Sequence, residues 1–226
     1  MIGLKSDMES TKATALAGWA KARGLGYTRF DYSGHGRSCG RFEDATIGDW
    51  LQEAAAIFTR ITLGPQIIVG SSTGAHVALV MLRDLLLEDP RAAERVKGLV
   101  LIAPAWDVTE LIWRELPEPA KADVMEKGVW VRPSPYDPAG YPITRRFIEE
   151  GRRHLLAGAP FDPGRRIDVL QGMQDTDVPP AHARALKGVL GGDWLHITEI
   201  PDGDHRLSRD EDLARLFGII EAQLAS

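Results

Sequence analysis

Short continuous apolar runs alternate along the chain with stretches in which apolar residues recur every three or four positions, from about residue 27 to the C-terminus. Tyr27, Thr28, Arg29, Phe30, Asp31 and Tyr32 predict a strand running into a glycine-rich turn. Thr46 stands as a helix cap before Ile47, Trp50, Leu51, Ala54, Ile57, Phe58 and Ile61, whose spacing predicts a helix to Thr62. After Gly64-Pro65, the run Gln66-Ile67-Ile68-Val69 has the unbroken apolar character of a strand buried on both faces, and Thr73 to Leu87 then has helical length. Val96 to Ile102, Ile167 to Leu170 and Leu195 to Ile200 predict further strands, and Asp210 to Leu224 an amphipathic closing helix. This alternation predicts a mostly parallel sheet with helices on both faces.

The rhythm breaks between Pro104 and Pro160, a proline-rich stretch holding Trp106, Trp113 and Trp130 with no clear strand. It reads as an insertion at 104–160 into a single core formed by 1–103 and 161–226, not as a second domain. A chain of 226 residues suits one domain, and 44% hydrophobic with 26% charged residues is the balance of an ordinary globular protein. No repeat or low-complexity tract interrupts it.

The net charge of −5 and the lack of a basic run argue against nucleic-acid partners. No apolar run reaches the roughly 18 residues needed to span a bilayer, and the start lacks a secretory pattern. The single cysteine, Cys39, excludes an internal disulfide and fits a reducing, cytoplasmic setting. It sits in a glycine-rich loop as a small filler, not as a nucleophile.

Gly70-Ser71-Ser72-Thr73-Gly74 matches G-x-S-x-G, and it lies where the chemistry of that motif requires, directly after a buried strand and before a helix. Such a turn lifts the Ser72 hydroxyl clear of the sheet, and side chains on the flanking glycines would collide with nearby backbone. Ser71 lacks this frame. A serine hydroxyl attacks a carbonyl only if a histidine takes its proton and a carboxylate fixes that histidine's tautomer. His205 follows the last strand in Asp204-His205-Arg206, and the loop after Leu170 offers Asp175 and, two residues on, Asp177. Both loops leave the carboxyl ends of strands, the edge at which open α/β sheets bind ligands. His76 and His182 fall in predicted helices, His196 in a strand and His154 at the end of the insertion. His35 lies near the site but precedes the serine. No His/Asp/Glu cluster has metal-ligand spacing, so no metal site is expected.

Asp31-Tyr32-Ser33-Gly34-His35-Gly36-Arg37-Ser38, the Gly-Pro-Gln lead into Gly70–Gly74, Lys127-Gly128-Val129-Trp130, the Gly172–Pro179 loop and Asp204-His205-Arg206 carry a resemblance over nearly the whole chain. Together they resemble the small α/β-hydrolases related to mitochondrial palmitoyl-protein thioesterase and acyl-glucuronide esterase. The resemblance implies the α/β-hydrolase fold and hydrolysis of small acyl esters or thioesters without cofactor. It maps the catalytic aspartate of G-x-x-D-x-x-V-P to Asp175 and the oxyanion-hole N–H groups to Leu4 and Thr73. It also makes the insertion a lid.

A strand feeding the Ile2–Ser6 loop is implied as well, between the strand ending near Asp31 and the one before Ser72, with others ahead of it. The chain starts two residues before Gly3. A truncated chain or a late start codon would remove that central strand, unless its two neighbours pair directly.

Within the insertion, Trp106, Trp113, Val129, Trp130 and Tyr136 are candidates for an acyl channel, with packing onto the domain as the alternative. Lys5, Arg37 and Arg206 are candidates for attracting an anionic group. A rival functional class is a catalytically silent small-molecule binding protein on the same fold.

Overall fold

A computed structural model describes residues 1–133 and 138–225. The helices are α1 (Thr11–Ala22), α2 (Ile47–Arg60), α3 (Thr73–Glu88), α4 (Pro90–Ala93), α5 (Val108–Glu115), α6 (Glu118–Lys127), α7 (Arg145–Gly151), α8 (Pro180–Ala185) and α9 (Asp210–Leu224). The strands are β1 (Gln66–Ser71), β2 (Val96–Ile102), β3 (Val129–Arg132), β4 (Tyr141–Thr144), β5 (Ile167–Gly172) and β6 (Leu195–Ile200). β1, β2, β5 and β6 form one parallel sheet in that order.

Alternation along β2 sorts the core into two layers. Leu99 and Leu101 pack with α2 and α3, whereas Val100 and Ile102 pack with Leu16 of α1 and with Leu216 and Ile220 of α9. Burial on both faces is what makes residues 99–102 of the strand apolar without interruption, whereas Lys97 near its start is exposed. Thr46 starts α2 with a reciprocal cap, its side chain accepting from Asp49 N while Asp49 accepts from Thr46 N. Ile47, Trp50, Leu51, Ala54 and Phe58 are buried from that helix, and each large side chain contributes roughly 1.5–3 kcal/mol over exposure.

Two expectations are corrected. The insertion contains an antiparallel hairpin, with Val129 opposite Thr144 and Arg132 opposite Tyr141. Its register follows α6, which stops at Gly128 in the left-handed conformation (φ 84°) that glycine tolerates. Short strands broken by prolines carry too little periodicity to announce themselves.

The second correction concerns residues 27–32, which pair with no strand. Tyr27 is 38% exposed. Asp31 fixes the end of the segment by accepting from Met8 N (2.6 Å) and Arg37 N (2.9 Å), and Tyr32 buries its ring beside Phe30 and Trp50. The segment therefore does not close onto β1 directly. Between them runs a groove that forms part of a cavity of about 770 Å³, lined on the β1 side by Ile67, Ile68 and Val69. On this edge, among the described residues, β1 meets the first residue of the chain: Met1 N donates to Val69 O (2.7 Å), and Met1 O accepts from Ser71 N (3.1 Å).

Candidate active site

Ser72 sits between β1 and α3 with φ 53° and ψ −120°, a backbone state that costs a non-glycine residue about 1–3 kcal/mol. The neighbouring glycines make it possible. A Cβ on Gly70 would stand 2.6 Å from Gly74 O, and one on Gly74 would stand 2.6 Å from the carbonyl oxygens of Met1 and Ile2. Lys5, Ala103, Asp107 and Leu207 also have positive φ, so strained backbone gathers at this end of the sheet.

Glycines likewise bring the other two loops together. Gly172 ends β5 against the carbonyls of Gly203 and Asp204, leaving no room for a Cβ, and Gln174 N donates to Gly203 O (2.9 Å). This approach puts the loop of Asp175 against the loop of His205. Ser72 Oγ donates to His205 Nε2 (3.2 Å), and His205 Nδ1 donates to Asp175 Oδ2 (2.8 Å). The Asp175 side chain is fully buried; its Oδ1 accepts from Asp177 N (2.9 Å) and Val178 N (2.8 Å), and Oδ2 also accepts from Gln171 Nε2 (3.3 Å). These bonds hold the carboxylate in one orientation. Asp177 contributes its backbone N–H to Asp175, and its carboxylate makes no hydrogen bond to His205 among those described.

Each of Asp175, Asp177 and His205 offers a ligand atom within 4.8 Å of the others, a grouping that loop spacing alone did not reveal. In it, Asp175 Oδ2 and His205 Nδ1 share a proton in a hydrogen bond, which is a different use of the same atoms.

The remaining histidines are engaged elsewhere. His76 is fully buried with its pKa pushed down to about 3, chiefly by burial, and its Nδ1 accepts from Asp107 N (3.1 Å). His154 pairs with Glu150, and His182 stacks on Trp106 while its Nε2 donates to Trp106 O (2.8 Å). His196 is exposed on β6. His35 does reach the site region: its Nε2 accepts from Lys5 N (3.1 Å).

Leu4 and Thr73 both line the cavity beside Ser72, and among the described bonds neither backbone N–H has a protein acceptor. Gly3 passes so close that a Cβ there would stand 3.2 Å from Ser72 Cβ. A carbonyl held at Ser72 would thus meet a hydroxyl, a base and unused N–H groups within one cavity.

The structure does not bring the tryptophans there. Trp106 is buried and donates Nε1 to His182 O (2.7 Å); Trp113 lies under Lys121 and Arg152; Trp130 packs against the core from β3. Val129 is exposed, and Tyr136 lies outside the described residues. The insertion instead turns Val108, Leu111 and Ile112 of α5 and Ile143 of β4 toward the cavity, together with Ala105. The 108/111/112 spacing is a helical face visible in sequence, masked by the larger tryptophans beside it. Of the candidate cations, Lys5 and Arg206 line the cavity, whereas Arg37 pairs with Glu9 (2.8 Å) at the surface. Among the described residues no helix is long and apolar enough to cross a membrane.

Comparison with known proteins agrees with the fold. Residues 7–134 match the family described as Hydrolase_4, serine aminopeptidase S33. Palmitoyl-protein thioesterase ABHD10, mitochondrial, is 35% identical over 222 residues in Pongo abelii, and 34% over 222 in Homo sapiens, each match covering 97% of this chain and 70% of the relative. A crystal structure of an Agrobacterium vitis S4 protein superposes with TM-score 0.93 at 40% identity, covering 98% of this chain and 85% of that one. Alpha/beta hydrolase domain-containing protein 10 from mouse gives 0.87 at 31%, covering 100% and 88%.

Proposed function

The chain belongs to the serine aminopeptidase S33 family of α/β-hydrolases, and from that premise we propose that it cleaves acyl thioesters or esters through a Ser72 acyl-enzyme. The observation that carries this reading is the unbroken hydrogen-bond chain Ser72 Oγ–His205–Asp175 at 3.2 and 2.8 Å. His205 Nε2 takes the hydroxyl proton as Ser72 Oγ attacks the acyl carbonyl, and Asp175 holds the Nδ1–H tautomer and stabilises the imidazolium. The oxyanion accepts from Leu4 N–H and Thr73 N–H, interactions that strengthen as charge develops. On collapse, His205 returns the proton to the leaving thiolate or alkoxide. Water, deprotonated by His205, then attacks the acyl-serine in the same geometry, and His205 passes that proton to Ser72 Oγ as the acyl–oxygen bond breaks and the acid leaves. Every step is acid–base and nucleophilic chemistry of these side chains.

The segment 104–160 acts as the lid, with α5 rather than the tryptophans facing the acyl chain. The relatives named palmitoyl-protein thioesterase support an acyl substrate and a thioester leaving group. A cytoplasmic location rests on one exposed cysteine, Cys39, and the name of those relatives places them in mitochondria. Labelling by a fluorophosphonate probe, lost in Ser72→Ala, tests the nucleophile. Parallel assays with acyl-CoA thioesters and p-nitrophenyl esters of equal chain length test the leaving group. An unlabelled, correctly folded protein would leave the binding-protein reading in its place.

A further inference from the structure

His35 has no part in the proton relay, yet it is 4% exposed and its ring sits in a box formed by Trp50, Phe42 and Tyr32 at centroid distances of 5.0, 5.3 and 5.9 Å. Its two nitrogens have unequal partners. Nδ1 faces Ser33 O at 3.2 Å, and a carbonyl oxygen only accepts, so the hydrogen resides on Nδ1. Nε2 is then a bare lone pair, and the backbone N–H of Lys5 donates to it at 3.1 Å. The neutral Nδ1–H tautomer is the one state that satisfies both contacts.

The peptide it holds is unusual. Ser6 N donates to Gly3 O (3.1 Å), closing a four-residue turn in which Leu4 and Lys5 are the central residues. Lys5 occupies the third position with φ 51°, where a turn with positive φ ordinarily carries glycine. A lysine in that state costs of order 1–3 kcal/mol and persists only if its surroundings over-determine it. Rotation of the Leu4–Lys5 peptide would relieve the strain, and it is the Lys5 N–H of that peptide which His35 grips. On the other side Lys5 Nζ donates to Gly140 O (3.0 Å) between the rings of Phe42 and Tyr141, tying the turn to the lid.

We propose that His35 is a positioning residue for the oxyanion hole: by accepting the Lys5 N–H it locks the strained Gly3–Ser6 turn so that the Leu4 N–H stays aimed at the reacting carbonyl. The inference rests on the Ser72 hydrolase reading. It carries a pH dependence. A proton on Nε2 would replace the acceptor with a donor facing another donor, releasing the turn. The groups facing the ring are Asp31 before its own loop, Glu53 from α2 and Lys5 from the turn; burial outweighs the two carboxylates and holds the His35 pKa below its ordinary value. The turn is therefore locked at neutral pH and released in acid, below the ordinary histidine range.

Two substitutions separate positioning from packing. His35→Phe fills the aromatic box but offers no acceptor. His35→Gln can place its amide oxygen where Nε2 stood. His35→Phe is expected to lower kcat about 10- to 100-fold, somewhat less than loss of a whole oxyanion donor, with KM within about twofold. Its inhibition constant for an alkyl trifluoromethyl ketone, whose adduct bears the oxyanion, should rise in parallel. His35→Gln is expected to recover kcat to within about threefold. In the wild type the acid limb of log kcat/KM should carry one more proton, that of His35, and so steepen from slope one toward two; in His35→Gln it should stay at one. If His35→Phe does not fold, that slope comparison decides alone. Wild-type kcat and ketone affinity in His35→Phe, or a slope of two retained in His35→Gln, would overturn the inference. If the wild-type protein is not labelled at Ser72 by a fluorophosphonate, the hydrolase reading itself has failed, a result distinct from either.

Discussion

The two sides of Ser72 are built by different means. On one side β1, β2, β5 and β6 run parallel, with one register shift between Gln66 and Ile67 at the start of β1, and the hydrogen-bonded triad hangs from the carboxyl ends of three of them. On the other side, among the described residues, the outer edge of β1 meets the main chain at Met1, residues 23–29 are exposed, and the Gly3–Ser6 turn is held by His35, by Met8 N on Asp31 and by Lys5 on Gly140 of the insertion. In the proposed mechanism, proton transfer therefore depends on ladders whose opening approaches global unfolding. In the same proposal, oxyanion stabilisation depends on a few loop contacts, the class of structure that opens at low free-energy cost. Substitutions on the two sides should fail in different ways.

The largest effect lies on the ladder side. Ser72→Ala and His205→Ala each should cost on the order of a millionfold in kcat, and the double variant little more, because the groups act as one unit. Thermal stability should hold, since removing Oγ relieves no ladder and His205 is partly exposed. Clear esterase activity in purified Ser72→Ala protein would dismantle the assignment. Next comes the carboxylate. Asp175→Asn should lower kcat roughly 10⁴-fold by presenting the wrong partner to Nδ1, while Asp177→Asn, which keeps its backbone N–H on Asp175, should change kcat less than about tenfold. Equal losses would mean that both carboxylates serve His205.

These outcomes concern what was legible in sequence. G-x-S-x-G is informative because a strand must precede it and a helix follow, so the motif carries its own structural test, and the order Ser, Asp, His then leaves few candidates. Asp175 was separable from Asp177 only through the family pattern; physically it wins because two backbone N–H groups and Gln171 turn its Oδ2 toward His205. Residues 27–32 look like a strand because aromatic and β-branched residues suit any extended chain, but a strand exists only where a neighbour supplies the ladder. The tryptophans leave two readings open in sequence: a large ring is apolar enough to line a channel and equally suited to bridging packed elements, and Trp106 is held by its indole N–H to His182 O. His35 left no sequence signal separating a packing role from one that acts through Lys5.

A contrast between two glycines sharpens the comparison at a smaller scale. In Gly70→Ala the new Cβ strikes Gly74 O and Ala75 Cα, inside the strand-to-helix turn, whereas in Gly74→Ala it strikes the carbonyls of Met1 and Ile2. Gly70→Ala should therefore lower the melting temperature along with activity. Gly74→Ala should displace the N-terminal segment and reduce kcat about 10- to 100-fold, as expected for a mis-set oxyanion donor, with amide-exchange protection of β2 and β5 unchanged. A global loss of protection in Gly74→Ala would show that the N-terminal segment supports the whole sheet.

The smallest effect per single change is that of one methylene in the acyl chain, where the insertion meets both sides. Val108, Leu111 and Ile112 share one face of α5 toward the cavity, so each methylene buried there should add up to about 0.8 kcal/mol, close to fourfold in kcat/KM per CH₂. Octanoyl substrates should outrun butyryl and acetyl ones in that progression until the cavity is filled. Leu111→Ala removes part of the wall, so it should weaken the dependence on chain length or move the optimum to longer chains. Trp130→Ala, made on a hairpin residue that faces the core rather than the cavity, should leave the dependence unchanged whatever it does to stability. The reverse pattern, with the slope abolished in Trp130→Ala and preserved in Leu111→Ala, would route the acyl chain through the β3–β4 hairpin and return the tryptophans to the substrate path. A slope preserved in both would move it away from the lid into the groove beside β1, the loosely built side of the molecule.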